Sequence, residues 1–114
     1  MALSFGKLFA AKQVNNAAVD TLLTVPATPP NSVLRNCRIR FANTTALAAT
    51  VKAWGVPAAG AAADSNVFLP TTSIVAGGFI DVDCPTLAAS DFIQAQAGTA
   101  SAITASLIDG FVQS

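Results

Sequence analysis

From about Val19 onward, apolar and polar residues alternate, and Pro, Gly, Asn or Asp breaks the rhythm at short intervals. Residues two apart lie on the same side of a pleated strand, so this pattern demands many short strands, each with one buried face. The strands expected on this basis cover residues 19–25, 33–41, 49–56, 67–69, 73–75, 79–84, 92–97 and 102–112. Three prolines in residues 26–31 withhold ladder donors, Asn43-Thr44-Thr45 reads as a turn, and residues 57–66 form a small-residue loop suited to contacts. Gly77-Gly78 reverses the chain, residues 85–90 form another loop, and residues 98–101 close a hairpin. Strands this short, with turn signals this frequent, fit an all-β fold of two packed antiparallel sheets, a jelly-roll-like β-sandwich.

The alternation also assigns faces. On residues 33–41, Val33, Cys37, Ile39 and Phe41 make an apolar side interrupted by Arg35, while Leu34, Asn36, Arg38 and Arg40 point the other way as the main basic stripe. Thr50, Lys52, Trp54 and Val56 oppose Ala49, Val51 and Ala53, and Ile80, Val82 and Cys84 oppose Phe79, Asp81 and Asp83. In the last strand Ile103, Ala105, Leu107 and Phe111 share a side, with a bend or bulge at Asp109-Gly110.

Residues 1–18 stand apart from the single β-sandwich domain of residues 19–114. Phe5, Leu8 and Phe9 fall at helical spacing, but Gly6, Asn15 and Asn16 oppose a long helix. Together with Leu3 they suit either an edge strand or an N-terminal arm that buries its side chains against a partner. The arm, or a swapped edge, is the preferred reading.

Composition narrows the function. The chain has no His, Tyr or Glu, and its six acids, all Asp, balance six Lys and Arg. Without imidazole or Glu the usual zinc sites and acid–base pairs have nothing to draw on, so neither catalysis nor a metal or cofactor is expected. Zero net charge gives no footprint for nucleic acid or an anionic bilayer, and no apolar run approaches the ~20 residues of a membrane helix. The opening residues lack a signal-peptide layout, so synthesis in the cytoplasm is expected. Of 114 residues 24 are Ala, so the core must be thin and stability marginal, which favours a homo-oligomer. Cys37 and Cys84 permit a disulfide without requiring one; buried reduced thiols are the expected state.

Each candidate constellation has a plainer alternative. Asp81 and Asp83 share a face as catalytic or calcium-binding carboxylates would, but exposed Asp residues without a calcium loop more often form ion pairs. Arg38 and Arg40 repeat the same pitch, so a cross-strand or intersubunit match to Asp81 and Asp83 is geometrically reasonable. Arg35, Arg38, Arg40 and Lys52 beside Trp54 resemble a base-stacking strip, yet one Trp and no Tyr make a poor platform for bases or sugars, and Trp54 reads as a packing or contact residue. No GxSxG elbow or phosphate-cradling glycine loop is present.

The segments Thr21-Leu22-Leu23-Thr24-Val25-Pro26-Ala27-Thr28-Pro29, Arg38-Ile39-Arg40-Phe41-Ala42-Asn43-Thr44-Thr45 and Val56-Pro57-Ala58-Ala59-Gly60 together resemble a group of small tailed-bacteriophage virion proteins. Phe79-Ile80-Asp81-Val82-Asp83, Leu87-Ala88-Ala89-Ser90-Asp91-Phe92-Ile93-Gln94-Ala95 and Asp109-Gly110-Phe111-Val112 extend the resemblance over nearly the whole chain, with Ser90 where that group's turn has Gly. The resemblance implies a capsid decoration, cement or staple protein: a dimer or trimer on the outer capsid surface that bridges major capsid protein subunits. A tail, collar or fibre component binding another virion protein or a host glycan is the alternative. The expected interface comprises Leu3, Phe5, Leu8, Phe9, Arg38, Arg40, Trp54, Asp81 and Asp83, with the Ala-rich loop after Pro57.

Overall fold

In the computed structural model, which describes residues 3–5, 8–28 and 30–113, every element but one short 3-10 turn is a strand. In chain order these are β1 (Leu3–Phe5), β2 (Lys12–Gln13), β3 (Asp20–Thr24), β4 (Val33–Asn43), β5 (Ala49–Val56), β6 (Val67–Ile74), β7 (Phe79–Asp83), β8 (Leu87–Ala88), β9 (Phe92–Ala97) and β10 (Ile103–Gln113). The front sheet runs β1 and β2, then β10, β4, then β7 and β8; the back sheet runs β3, β9, β5, β6, and all pairings are antiparallel. The chain crosses between sheets at nearly every connection. With β1/β2 and β7/β8 each counted as one broken strand, this order is the eight-stranded double Greek key of a jelly roll.

The inner faces supply one core. Phe41, Ile39, Leu34, Ile93, Ile103, Val14 and Val25 fill it, while Ala53, Ala95, Ala97, Ala102 and Ala105 let the sheets approach closely. The thin core expected from the Ala content is matched by a flat body, 46 × 26 × 17 Å.

Three expectations need correction. The first concerns the face of Leu34, which is fully buried, whereas Val33 and Arg35 turn outward. Asn36 at φ 54° forms a bulge, with two β4 residues between Arg35 and Arg38 facing only Gly110 of β10. An extra residue shifts the alternation by one position, so the inward side changes from even to odd numbers along β4. Ile108 is an extra residue on β10 and shifts that strand too, sending Val112 rather than Phe111 inward. The bulge expected near Asp109-Gly110 is therefore present.

The second correction is that the N-terminal segment is no free arm. Leu3–Phe5 and Lys12–Gln13 pair with opposite ends of β10, Val14 is 1% exposed and donates its N–H to the Ile103 carbonyl at 2.8 Å, and Leu8 and Phe9 pack on the core. Within this chain the segment lies along the edge of the front sheet. A deletion of residues 1–14 thus removes part of the core and not merely a grip. Gly6, Pro29 and the side chains of Leu3 and Phe5 lie outside the described residues.

The third is that β6 continues through Pro70, where the sequence suggests a stop. It is an edge strand, and Pro70-Thr71 bulge out of the ladder between Leu69 and Thr72, so no donor is missed.

Candidate interaction surface

The outer face of the front sheet carries the charged residues singled out above. In the β4–β7 register Arg38 lies opposite Asp83 and Arg40 opposite Asp81, the cross-strand match expected from their common pitch, here formed within one chain. Arg38 Nε donates to Asp83 Oδ1 at 2.9 Å; Arg40 Nε and Nη2 donate to Asp81 Oδ1 and Oδ2 at 2.8 and 3.1 Å. The Arg40 guanidinium also stacks 4.2 Å from the Phe79 ring centroid.

These contacts set the local electrostatics. The hydrogen bond from Arg40 holds the Asp81 carboxyl below the usual carboxylate range against a smaller opposing effect of burial. Donating hydrogen bonds to Asp83 and Asp81 makes Arg38 and Arg40 still harder to deprotonate. Asp109 lies opposite Arg38 on the β10 side and adds to its stabilisation. Alternation alone did not reveal this, because Asp109 reads there only as an interruption. The bulge at Asn36 also brings Arg35 onto this outer face.

An apolar patch lies at one end of the sandwich. Leu47, Val75 and Phe79 are 78%, 71% and 55% exposed. They are gathered around Asn43, which is buried: its Nδ2 donates to the Leu47 and Ile74 carbonyls at 2.8 and 3.0 Å, and its N–H donates to the Gly78 carbonyl. Asn43 Oδ1 accepts from the Thr45 N–H and Oγ1 at 3.0 and 2.7 Å. Neither Leu47 nor Val75, which was expected to end a strand, was among the expected contacts; a large apolar residue within a turn was the available signal for Leu47.

Other expected interface residues are covered within the chain. Trp54, with Val56, is buried on the back sheet's outer side, its ring 5.4 Å from Lys52 Nζ, and the 3-10 turn Asp64–Asn66 packs against the same strand. Leu8 and Phe9 belong to the core margin. The Ala-rich loop is exposed but pinned: Asp91 Oδ1 accepts the Ala58 N–H and Asn66 bridges Ala61 and Ala63. Both cysteines are free thiols, Cys37 buried and Cys84 half-buried. Among the described residues no group of three or more His, Cys, Asp or Glu converges on a metal position, and no helix is long and apolar enough to cross a membrane.

No family model and no curated protein matches the sequence. Two solved structures are similar to it to different degrees. A chain of the Bacillus endospore appendages, a family of disulfide-linked pili, superposes with a TM-score of 0.52 at 13% identity, over 97% of this chain and 85% of its own. A chain of the T13 IBDV viral particle gives 0.48 at 8% identity, over 97% of this chain but only 29% of its own. At such identities the first likeness is one of β-sandwich architecture.

Proposed function

We propose that this chain is a structural virion protein that binds the outer surface of a bacteriophage head and clamps neighbouring major capsid protein subunits, without turning over a substrate. The observation that carries this reading is that each of the six Asp side chains has a partner within the chain. Asp20 pairs with Lys12 at 2.8 Å, Asp81 and Asp83 with Arg40 and Arg38, and Asp64 with Lys52 at 3.6 Å. Asp91 accepts backbone N–H groups from Ala58 and Ala88, and Asp109 accepts that of Gly110. In a chain without His or Glu, these are the only carboxylate side chains from which acid–base chemistry could be built.

A flat body, a charge-balanced sheet face and the exposed Leu47, Val75 and Phe79 suit association with a protein surface. Many copies, each making modest contacts, would hold a shell together by mass action, and a dimer or trimer would multiply the grip of each copy.

The test is binding of the purified chain to expanded heads that lack it, with its position read from a particle map. Density over joints between capsid subunits is expected, and Leu47→Asp together with Phe79→Asp should lower head affinity at least about tenfold while leaving the β-sheet spectrum intact. Binding to tails or host envelope with none to heads would overturn the reading.

A further inference from the structure

The β4–β7 register that sets Arg40 against Asp81 and Arg38 against Asp83 brings Cys37 against Cys84 one step further on. The Cys84 N–H donates to the Cys37 carbonyl at 2.9 Å, which holds the two backbones side by side. Residues facing each other across an antiparallel pair have Cα atoms about 4.5–5.5 Å apart, inside the roughly 4.4–6.8 Å window that a disulfide spans. Both thiols line one polar cleft of about 440 Å³ with Asn36, Arg38 and Thr86, room for a small organic disulfide.

We propose that Cys37 and Cys84 form a thiol–disulfide exchange site that accepts a small disulfide in this cleft and closes into an intrachain bridge between β4 and the end of β7. The two thiols are unequal. The neighbouring Cys84 thiol lowers the pKa of Cys37 against burial and the charge of Asp109, while Cys37, burial and the charge of Asp83 push Cys84 up. Cys37 therefore ionises first and is the attacking group.

Its thiolate attacks one sulfur of the disulfide RSSR, breaking the S–S bond, releasing RS⁻ and forming a mixed disulfide on Cys37. Cys84 then gives its proton to the released thiolate and attacks the Cys37 sulfur, expelling the second RS⁻, which is protonated from water in place of the proton Cys37 gave up. The balance is protein dithiol plus RSSR giving protein disulfide plus two RSH: the protein is oxidised by two electrons and the small disulfide reduced by two. The bridge closes the long loop between β4 and β7 and restricts the unfolded chain.

The test treats the full-length folded protein with 2-hydroxyethyl disulfide and follows it by peptide mapping and thermal melting. Expected are loss of both thiols without retained reagent, a Cys37–Cys84 cross-linked peptide, and a rise in Tm on the order of 10 °C that a dithiol reductant reverses. Cys84→Ser should stop at a mixed disulfide on Cys37, whereas Cys37→Ser should leave Cys84 nearly unreactive. Cross-linked dimers, a lasting adduct on the unaltered chain, or pairing only in denaturant would overturn the proposal.

Discussion

Arg40 and Asp81 face each other across the β4–β7 ladder and close a two-pronged ion pair, with Phe79 stacked on the same guanidinium. Because the folded pKa of Asp81 is depressed, its contribution to stability is fully present above the ordinary carboxyl pKa of about 3.9 and is lost as pH falls through the lower folded value. A carboxyl-detected NMR titration should therefore find Asp81 protonating at a lower pH than a model Asp peptide. Arg40→Gln should move that midpoint up; an unmoved midpoint would show that the pair does not set it.

Asn43 uses its side-chain amide fully inside the protein. Truncation to Ala strands the buried Ile74 carbonyl and loosens the turn that carries Leu47. Asn43→Ala should cost about 2–4 kcal/mol in urea unfolding at an unchanged m-value. Asn43→Asp should not rescue it, since a carboxylate cannot donate to the two carbonyls.

Ser90 adopts φ 69°, in the left-handed region where Gly is at ease. Its neighbour Asp91 holds the same turn by accepting the Ala88 N–H. Relief of the strain outweighs the extra freedom that Gly gives the unfolded chain, so Ser90→Gly should raise stability by about 0.5–1 kcal/mol, seen as a Tm higher by a few degrees. A lower Tm would contradict the strain argument.

Gly110 lies at φ 149°, and a Cβ placed there would sit 3.2 Å from the Cys37 Cα and 3.4 Å from Leu8 Cδ1. Backbone strain and crowding act in the same direction. Gly110→Ala should lower stability by about 2 kcal/mol by chemical denaturation, and an unchanged midpoint would mean the bulge relaxes freely.

Much of this architecture is visible in a local pattern. The β7 and β9 alternation gives the buried and exposed sides that the structure has, as Ile80 and Val82 against Phe79 and Asp81 illustrate. The shared pitch of the two Arg and two Asp residues anticipates their pairing. Side-chain placement was misread where an extra residue enters a ladder: at Asn36 the rhythm slips by one, and Leu34 and Arg35 exchange sides.

Turn chemistry and two-residue periodicity were enough to specify most strands, a two-layer fold and the faces of strands without a bulge, because a pleated strand writes its environment into every second side chain. Which strands are neighbours, where bulges reset the rhythm, and whether Trp54, Leu8 and Phe9 serve a partner or this chain's own packing depended on contacts between residues far apart in sequence. Those contacts are decided only when the whole core closes, since a local segment holds no information about the surface it will meet.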